Sequence, residues 1–228
     1  MNTRKHALIV AGGSGQRIGS PLPKQFVVLN GKPLLMHTFH AFYKYDKGFD
    51  FVLVLPGREI ETWKRLCGKH RFDVPHIVAA GGETRFHSVK NGLQQIPEEG
   101  VVFIHDGVRP LVSPQTIENC YLEALKNGNA IPVIPPAESI RQVIENHNYA
   151  MSRENLFLVQ TPQVFRVSII KKAYEQEYSR HFTDDASVLE STGSSIFLVK
   201  GNRENIKITW PSDFIISEAL LKSVQAGS

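Results

Sequence analysis

Five short apolar runs alternate with stretches of helical spacing, and this alternation constrains the fold more than any other feature of the chain. The runs cover residues 8–10, 51–55, 76–79, 101–105 and 130–134. Gly12-Gly13 ends the first, Pro56-Gly57 the second, Gly81-Gly82 the third and Pro135-Pro136 the fifth. Between them Leu35, Phe39 and Phe42 recur at helical spacing, as do Ile117, Cys120, Tyr121 and Ala124, and residues 60–66 and 88–96 read as helices. Runs that are apolar throughout suit strands buried on both faces, as in a parallel sheet. Strands that alternate with helices specify βαβ units. The expected fold is therefore α/β: three layers, Rossmann-like, a mostly parallel sheet with helices on both faces. Ligands of such sheets bind outside the carboxyl ends of the strands. In this chain the glycine-rich and charged segments follow strands, so they should converge on one edge.

The first of these segments lies within residues 7–25, ALIVAGGSGQRIGSPLPKQ. Gly12, Gly13, Gly15 and Gly19 allow sharp turns and close approach of a ligand to main-chain N–H groups. Charge points the same way. Arg4, Lys5, Arg17, Lys24, Lys32 and Lys44 all precede the first acidic residue, Asp46. A glycine-rich loop with unopposed cations is built for anions; the alternative is a surface turn with solvated lysines.

Two common phosphate loops do not fit. A Walker loop needs Lys and then Ser or Thr after its last glycine, whereas Gly19 is followed by Ser20, Pro21 and Leu22. A dinucleotide fingerprint needs G-x-G-x-x-G and an acid roughly 20 residues on. Here the third glycine comes one place late, and the first acid is Asp46. What remains is A-G-G-x-G-x-R with a downstream P-K-Q. That pattern resembles the signature of the sugar-nucleotide and alditol-phosphate nucleotidyltransferases. The resemblance implies a loop that wraps a triphosphate, with Arg17 and Lys24 taking up charge at the α-phosphate.

Two further segments follow strands. Gly81-Gly82-Glu83-Thr84-Arg85-Phe86-His87-Ser88 joins a Gly-Gly turn to a helix start carrying Arg85 and Ser88. It resembles the superfamily's base- and ribose-contacting turn; an ordinary turn and cap is the alternative. In His105-Asp106-Gly107-Val108-Arg109-Pro110 a carboxylate directly follows a buried strand, and must face a partner charge or a ligand. Magnesium bound to phosphates uses a carboxylate or two, so Asp106 is a candidate for a ribose or metal contact. A structural ion pair with Arg109 is the other reading.

Beyond residue 135 the pattern changes. Residues 139–145 and 149–153 alternate in polarity around Asn146-His147-Asn148 and read as a β-hairpin. So short an arm buries little alone, which makes 136–155 an expected dimerisation arm completed by a second chain. Residues 156–160 return to the body. Helices are expected at 168–178 and 185–191, the latter capped by Thr183 or Asp184. Strands are expected at 196–199 and 205–209, and a last helix from Pro211.

Composition narrows the class. The chain has 228 residues, 42% hydrophobic and 21% charged, which suits one globular domain over residues 1–228. No apolar run approaches the ~20 residues that span a bilayer, and the N-terminal residues lack the h-region of a signal peptide. A net charge of +4 without a basic run or aromatic platform gives no reason to expect nucleic acid. Cys67 and Cys120 are far apart and fit no metal spacing. Free thiols suit the cytoplasm.

Taken together, AGGSGQR, PLPKQF, GGETRFHSV, HDGVRP, QTPQVF, TDDASVLE and NIKITWPSD occur in that order across the chain. In this order they resemble the 2-C-methyl-D-erythritol 4-phosphate cytidylyltransferase family of the non-mevalonate isoprenoid pathway. Carried over by position, the resemblance makes Arg17, Lys24 and Lys207 the cations around the triphosphate and its transition state. It makes Ala11, Gly12, Gly13, Gly82, Arg85, Ser88, Asp106 and Gly107 the CTP contacts. Arg109, Ser139, Arg153, Thr161 and Thr183 fall on the erythritol-phosphate side. Where the family often has Asp-Thr this chain has Glu138-Ser139, and Glu83 stands where a shorter acid is common.

The implied reaction is in-line attack of a phosphomonoester oxygen on the α-phosphate of CTP with release of pyrophosphate, assisted by Mg²⁺. Positioning and charge neutralisation should supply most of the rate. The implied assembly is a homodimer with exchanged arms. Two other functions share the motifs: a ribitol 5-phosphate cytidylyltransferase, and a nucleotide-binding regulatory domain without catalysis. TDDASVLE favours the erythritol enzyme over the ribitol one. Arg17, Lys24 and Lys207 argue against the regulatory domain, since a sensor needs no cations at a leaving group.

Overall fold

The computed structural model describes residues 3–12 and 22–226. Gly13 and Arg17 of the glycine-rich loop lie outside the described residues. Strand β1 (Lys5–Val10) is buried along its whole length. The short strands β2 (Val28–Leu29) and β3 (Lys32–Pro33) pair as a small ribbon leading into helix α1 (Leu34–Tyr45). Strand β4 (Asp50–Leu55), helix α2 (Ile60–His70), strand β5 (Ile77–Ala80) and helix α3 (Arg85–Leu93) complete the first half. Strand β6 (Val101–Asp106), helix α4 (Pro114–Asn127) and strand β7 (Asn129–Ile134) repeat the unit.

After β7 the chain leaves the sheet as the hairpin β8 (Ile140–Ile144) and β9 (His147–Met151). It returns through β10 (Leu158–Val159) and β11 (Gln163–Arg166) to helices α5 (Val167–Ala173) and α6 (Asp185–Glu190). Strand β12 (Leu198–Lys200) and helix α7 (Pro211–Ala226) end the described chain.

The main sheet has the order β10-β7-β11-β6-β1-β4-β5, with β12 also on β7. The pairs β1–β4, β1–β6, β4–β5 and β7–β12 are parallel, and β11 lies antiparallel between β6 and β7. Alternate strand residues point to opposite faces, and the core divides accordingly. Ala7, Ile9, Phe51, Leu53 and Phe103 pack under α1, α2 and α4 with Phe39, Phe42, Trp63 and Ile117. Leu8, Val10, Val52, Val54, Val102 and Ile104 pack under α3, α5 and α6 with Phe86, Val89, Ile170 and Val188. A smaller cluster of Leu29, Leu34, Val108, Ile208 and Leu221 seats α7. This is the three-layer α/β arrangement expected from the alternation of strands and helices.

Several boundaries differ from the expectation, each for a physical reason. Helix α3 begins at Arg85 because Thr84 caps it, its side chain accepting from the His87 N–H. The segment 205–209 is no strand. Its period-two pattern comes from an extended chain lying against the loop after β6, where the Ile208 N–H donates to the Val108 carbonyl at 3.0 Å. Strand β11 was not foreseen, since four residues behind Pro162 carry too little signal. The hairpin turns at Glu145, which takes φ +52°, one residue earlier than expected. Helix α5 stops at Ala173, and Tyr174 turns inward to bond Asp185 at 2.6 Å.

Candidate active site

Strand order reverses at β1: β4 and β5 lie on one side, β6 on the other. At such a switch point the loops above the strand ends part and leave a crevice. Val10 and Asp106 are register partners across it. Ladder bonds continue past the strand ends, with the Ala11 N–H on the Val54 carbonyl at 3.0 Å and the Gly107 N–H on the Val10 carbonyl at 2.8 Å. Ala11 and Gly107 are thus held by the same ladder as the strands they extend. Gly107 has no room for a side chain, because a Cβ would stand 2.8 Å from that of Ala11.

The crevice opens into a cleft of about 320 Å³, lined by Ala11, Gly12, Lys24, Gln25, Asp106 and Lys207 and by residues 82–85 and 88. That volume is in the range of small-molecule sites. A shallower depression continues from Gly12, Gly82 and Ser88 to Pro56, Gly57 and Arg58. The wall at Gly82 is held by its N–H donating to Ser88 Oγ at 3.1 Å. A Cβ at Gly82 would meet that of His87 at 2.4 Å, so the turn needs glycine there.

Asp106 is the electrostatic centre. Its Oδ2 accepts from Lys207 Nζ at 3.0 Å and from Arg109 Nε at 3.2 Å, and Arg85 Nε stands 4.0 Å from Oδ1. Burial alone would raise its pKa. The charges of Lys207, Arg85 and Arg109 outweigh burial and hold the carboxyl well below the usual carboxylate range. Lys24 Nζ reaches the Ile208 carbonyl at 3.3 Å, which places the two lysines on the same wall.

The other residues singled out in the sequence fall into three groups. Arg109 and Thr161 stand behind Asp106. Arg109 Nη1 donates to the Asn205 carbonyl at 2.7 Å. Thr161 Oγ1 accepts from the Asp106 N–H at 3.1 Å and lies 3.0 Å from His105 Nδ1. His105 is fully buried, which pushes its pKa down to about 4 and keeps the ring neutral. Thr183 is exposed beside a small crevice formed by Phe86, Tyr174 and Phe182. Ser139 and Arg153 belong to the arm, where the exposed Arg153 donates to the Ala137 carbonyl at the arm's base.

Sequence reasoning missed three features. Gln25 is buried and bridges the Ala11 carbonyl, at 3.1 Å, to the buried carboxylate of Glu59, at 2.5 Å. It thereby fixes the residue next to Lys24. Asp185 grips Arg85 through both carboxylate oxygens at 2.7 Å. Asn205 ties the Lys207 segment to Thr161, donating to its carbonyl at 2.8 Å. The one available signal was that each is a polar residue inside a motif, PLPKQF, TDDASVLE or NIKITWPSD; their partners are distant in sequence.

Among the described residues no cluster of three or more His, Cys, Asp and Glu could hold a metal by itself. One ionised carboxylate at the mouth of this cleft is nevertheless the protein donor that a phosphate-bound Mg²⁺ uses, the other ligands being phosphate oxygens and water.

The model of the 2-C-methyl-D-erythritol 4-phosphate cytidylyltransferase family matches residues 5–223 of the chain. The chain belongs to this family. A 2-C-methyl-D-erythritol 4-phosphate cytidylyltransferase of Bacteroides fragilis is 54% identical over 215 residues, covering 94% of this chain and 98% of the relative. One from Porphyromonas gingivalis is 47% identical over 224 residues, covering 98% and 100%. The crystal structure of the Francisella tularensis cytidylyltransferase superposes with a TM-score of 0.79 at 31% identity, covering 95% of this chain and 99% of that one. As a cytidylyltransferase of this family, the chain converts CTP and 2-C-methyl-D-erythritol 4-phosphate to 4-diphosphocytidyl-2-C-methyl-D-erythritol in isoprenoid biosynthesis. No helix among the described residues is long and apolar enough to cross a membrane.

Proposed function

We propose that the cleft at the β1–β6 switch point carries this reaction, with the triphosphate along the wall of Lys24 and Lys207 and the cytidine between the 82–88 turn and Asp106. The observation that carries the reading is the ionised, buried Asp106 held between Lys207 and Arg109 at the mouth of a nucleotide-sized cleft. Ala11, Gly12, Gly82, Ser88 and Gly107 form or brace the surface for the base and ribose, and the resemblance adds Gly13 to the CTP contacts. An oxygen of the acceptor's phosphate attacks the α-phosphorus of CTP. A new P–O bond forms, the bond from the α-phosphorus to the α–β bridging oxygen breaks, and pyrophosphate leaves with that electron pair. Arg17, Lys24 and Lys207 neutralise charge that grows on the α-phosphate and the leaving group, an effect that operates fully only in a preorganised site.

Asp106 is the residue that would hold Mg²⁺, and the ion would neutralise phosphate charge. Arg109 and Thr161 act through Asp106, the first by its charge and the second by fixing the backbone. Lys207 is both the partner of Asp106 and a phosphate cation, so a bound nucleotide competes with Asp106 for its ammonium group.

The arm supplies the acceptor side. Among the described residues strands β8 and β9 pair only with each other, and Val143 is 70%, Ile144 52% and Tyr149 55% exposed. An apolar ribbon of that kind calls for a covering surface. A second copy of the chain is the occupant, residues 136–155 serve as the dimerisation arm, and Arg153 and Ser139 reach the acceptor phosphate in the partner's cleft. Arginine suits that grip through its bidentate fork. Thr183, at the start of α6, faces the same acceptor. Free thiols at Cys67 and Cys120 suit a cytoplasmic enzyme.

Pyrophosphate release measured with CTP and, in turn, erythritol and ribitol phosphates tests the reading. Release with 2-C-methyl-D-erythritol 4-phosphate and Mg²⁺, and its loss in excess EDTA, is the expected result. Equal turnover of ribitol 5-phosphate, or full activity in EDTA, would overturn the acceptor or the metal assignment respectively.

A further inference from the structure

The reading of Asp106 as a nucleotide contact raises a problem that its neighbours answer. Its Oδ2 is engaged by Lys207 and Arg109, at 3.0 and 3.2 Å. Only Oδ1 remains for a ribose hydroxyl or a metal, and among the described residues no hydrogen bond reaches it. Yet Arg85 lies beside it, with Nε 4.0 Å away. An arginine fork so close to a carboxylate closes on it in a bidentate pair unless something stronger holds the fork elsewhere.

That something is Asp185. Its two oxygens take Arg85 Nη1 and Nη2 at 2.7 Å each, and its Oδ1 also accepts from Tyr174 Oη at 2.6 Å. The Asp185 side chain is 0% exposed and that of Arg85 32%. The Tyr174 ring stacks on Phe86, the residue after Arg85, with centroids 4.7 Å apart. The carboxylate is thus fixed by a phenol that is itself fixed by packing, and the guanidinium follows.

We propose that Asp185, oriented by Tyr174, is a positioning residue that holds Arg85 off Asp106 and so keeps Asp106 Oδ1 open to the nucleotide. Arg85 contributes its positive charge to Asp106 across 4.0 Å without occupying the oxygen. Because Asp185 is two residues from Thr183 on the acceptor side, the same ion pair also ties the nucleotide wall to the acceptor wall. The inference rests on the reading that the cleft binds CTP.

The test is calorimetric CTP binding, without metal and with Mg²⁺, to the full-length wild type, Asp185→Asn, Tyr174→Phe and the double variant Arg85→Met/Asp185→Asn. Asp185→Asn frees the fork to close on Asp106, and CTP binding weakens about tenfold, as loss of one charge-assisted contact does. Tyr174→Phe weakens it in the same direction by about threefold and serves if Asp185→Asn folds poorly, since it removes only a neutral donor. The double variant leaves no fork to close, and binds CTP at least about threefold more tightly than Asp185→Asn, even though it also lacks the Arg85 charge. A merely structural role for Asp185 would give no such recovery. The inference is overturned if Asp185→Asn and Tyr174→Phe bind CTP like wild type. It is also overturned if the double variant stays as weak as Asp185→Asn, which would make Arg85 itself a nucleotide contact. Failure of the wild type to bind CTP would instead remove the reading of the cleft, and this inference with it.

Discussion

Replacing Asp106 with Asn separates three quantities that a generic loss of function would move together. The side chain loses its charge but keeps its shape and one acceptor oxygen. Its bonds to Lys207 and Arg109 become neutral-acceptor bonds, and each such change costs about 1 kcal/mol, the difference between charge-assisted and ordinary hydrogen bonds. Lys207 is half-exposed, so solvent discounts its share. Arg109 keeps its bond to the Asn205 carbonyl and Arg85 keeps Asp185, so neither cation is stranded. The total is roughly 1–2 kcal/mol, or roughly 2–4 °C in Tm for a chain of this size. Catalysis should fall far more, at least about 100-fold in kcat, the scale for losing a preorganised contact to the reacting phosphates. Affinity for CTP in the absence of metal falls by no more than about tenfold, because loss of the charge-assisted contact at Oδ1 is partly offset by the more positive cleft of Lys24, Lys207 and Arg109. Scanning calorimetry, steady-state pyrophosphate release and metal-free CTP titration measure the three. Near-wild-type turnover of Asp106→Asn with Mg²⁺, or a large loss of metal-free CTP affinity, would refute the reasoning.

Three further outcomes follow from the same geometry. Lys24→Ala should lower kcat by at least about 100-fold while Tm stays within a few degrees, since the packed residues of this short helical turn are Gln25 and Phe26 and Lys24 itself is only half-buried; turnover near the wild-type rate would remove the P-K-Q segment from the mechanism. Mixing inactive Lys24→Ala and Arg153→Ala chains should restore activity on subunit exchange, because one cleft of each heterodimer then carries neither defect; no recovery in proven heterodimers would mean that each chain supplies its own Arg153. Stability should fall with acidification below about pH 6.5, because burial lowers the pKa of His6, His37, His76 and His105 in the folded chain. With the folded pKa below the unfolded one, the unfolded chain binds more protons, so this stability is fully present above the unfolded pKa and is lost toward the folded one, about 4 for His105. A Tm at pH 5.0 equal to or above that at pH 7.5 would contradict it.

What the sequence reveals and what it hides divide along a physical line. The sheet was legible because apolar runs such as residues 51–55, short and ended by Pro56-Gly57, suit strands with both faces covered, and the resulting strand alternation assigns Leu8 and Ile9 to opposite layers. The gathering of Ala11, Gly82 and Asp106 was legible for a related reason: each lies at or within two residues of the carboxyl end of a parallel strand, and parallel strands end on one edge. Strand β11 was not legible, because it enters antiparallel between β6 and β7 from far along the chain, and four residues give no period to read. Nor was the partner of Arg85, since Asp185 lies 100 residues away and reads locally as an acid at a helix start. The alternation at residues 205–209 reads as a sheet strand; the chain is indeed extended there, but its partner is the loop after β6, with the Ile208 N–H on the Val108 carbonyl, and this is what carries Lys207 to Asp106. Local pattern therefore locates the groups that follow strands, while the orientation of those groups, Arg85 by Asp185 and the P-K-Q turn by Gln25 on Glu59, depends on buried polar pairs between distant segments. Such pairs are costly to leave incomplete, so each fixes one geometry of the cleft, and it is in that geometry that Asp106 retains an oxygen for the nucleotide.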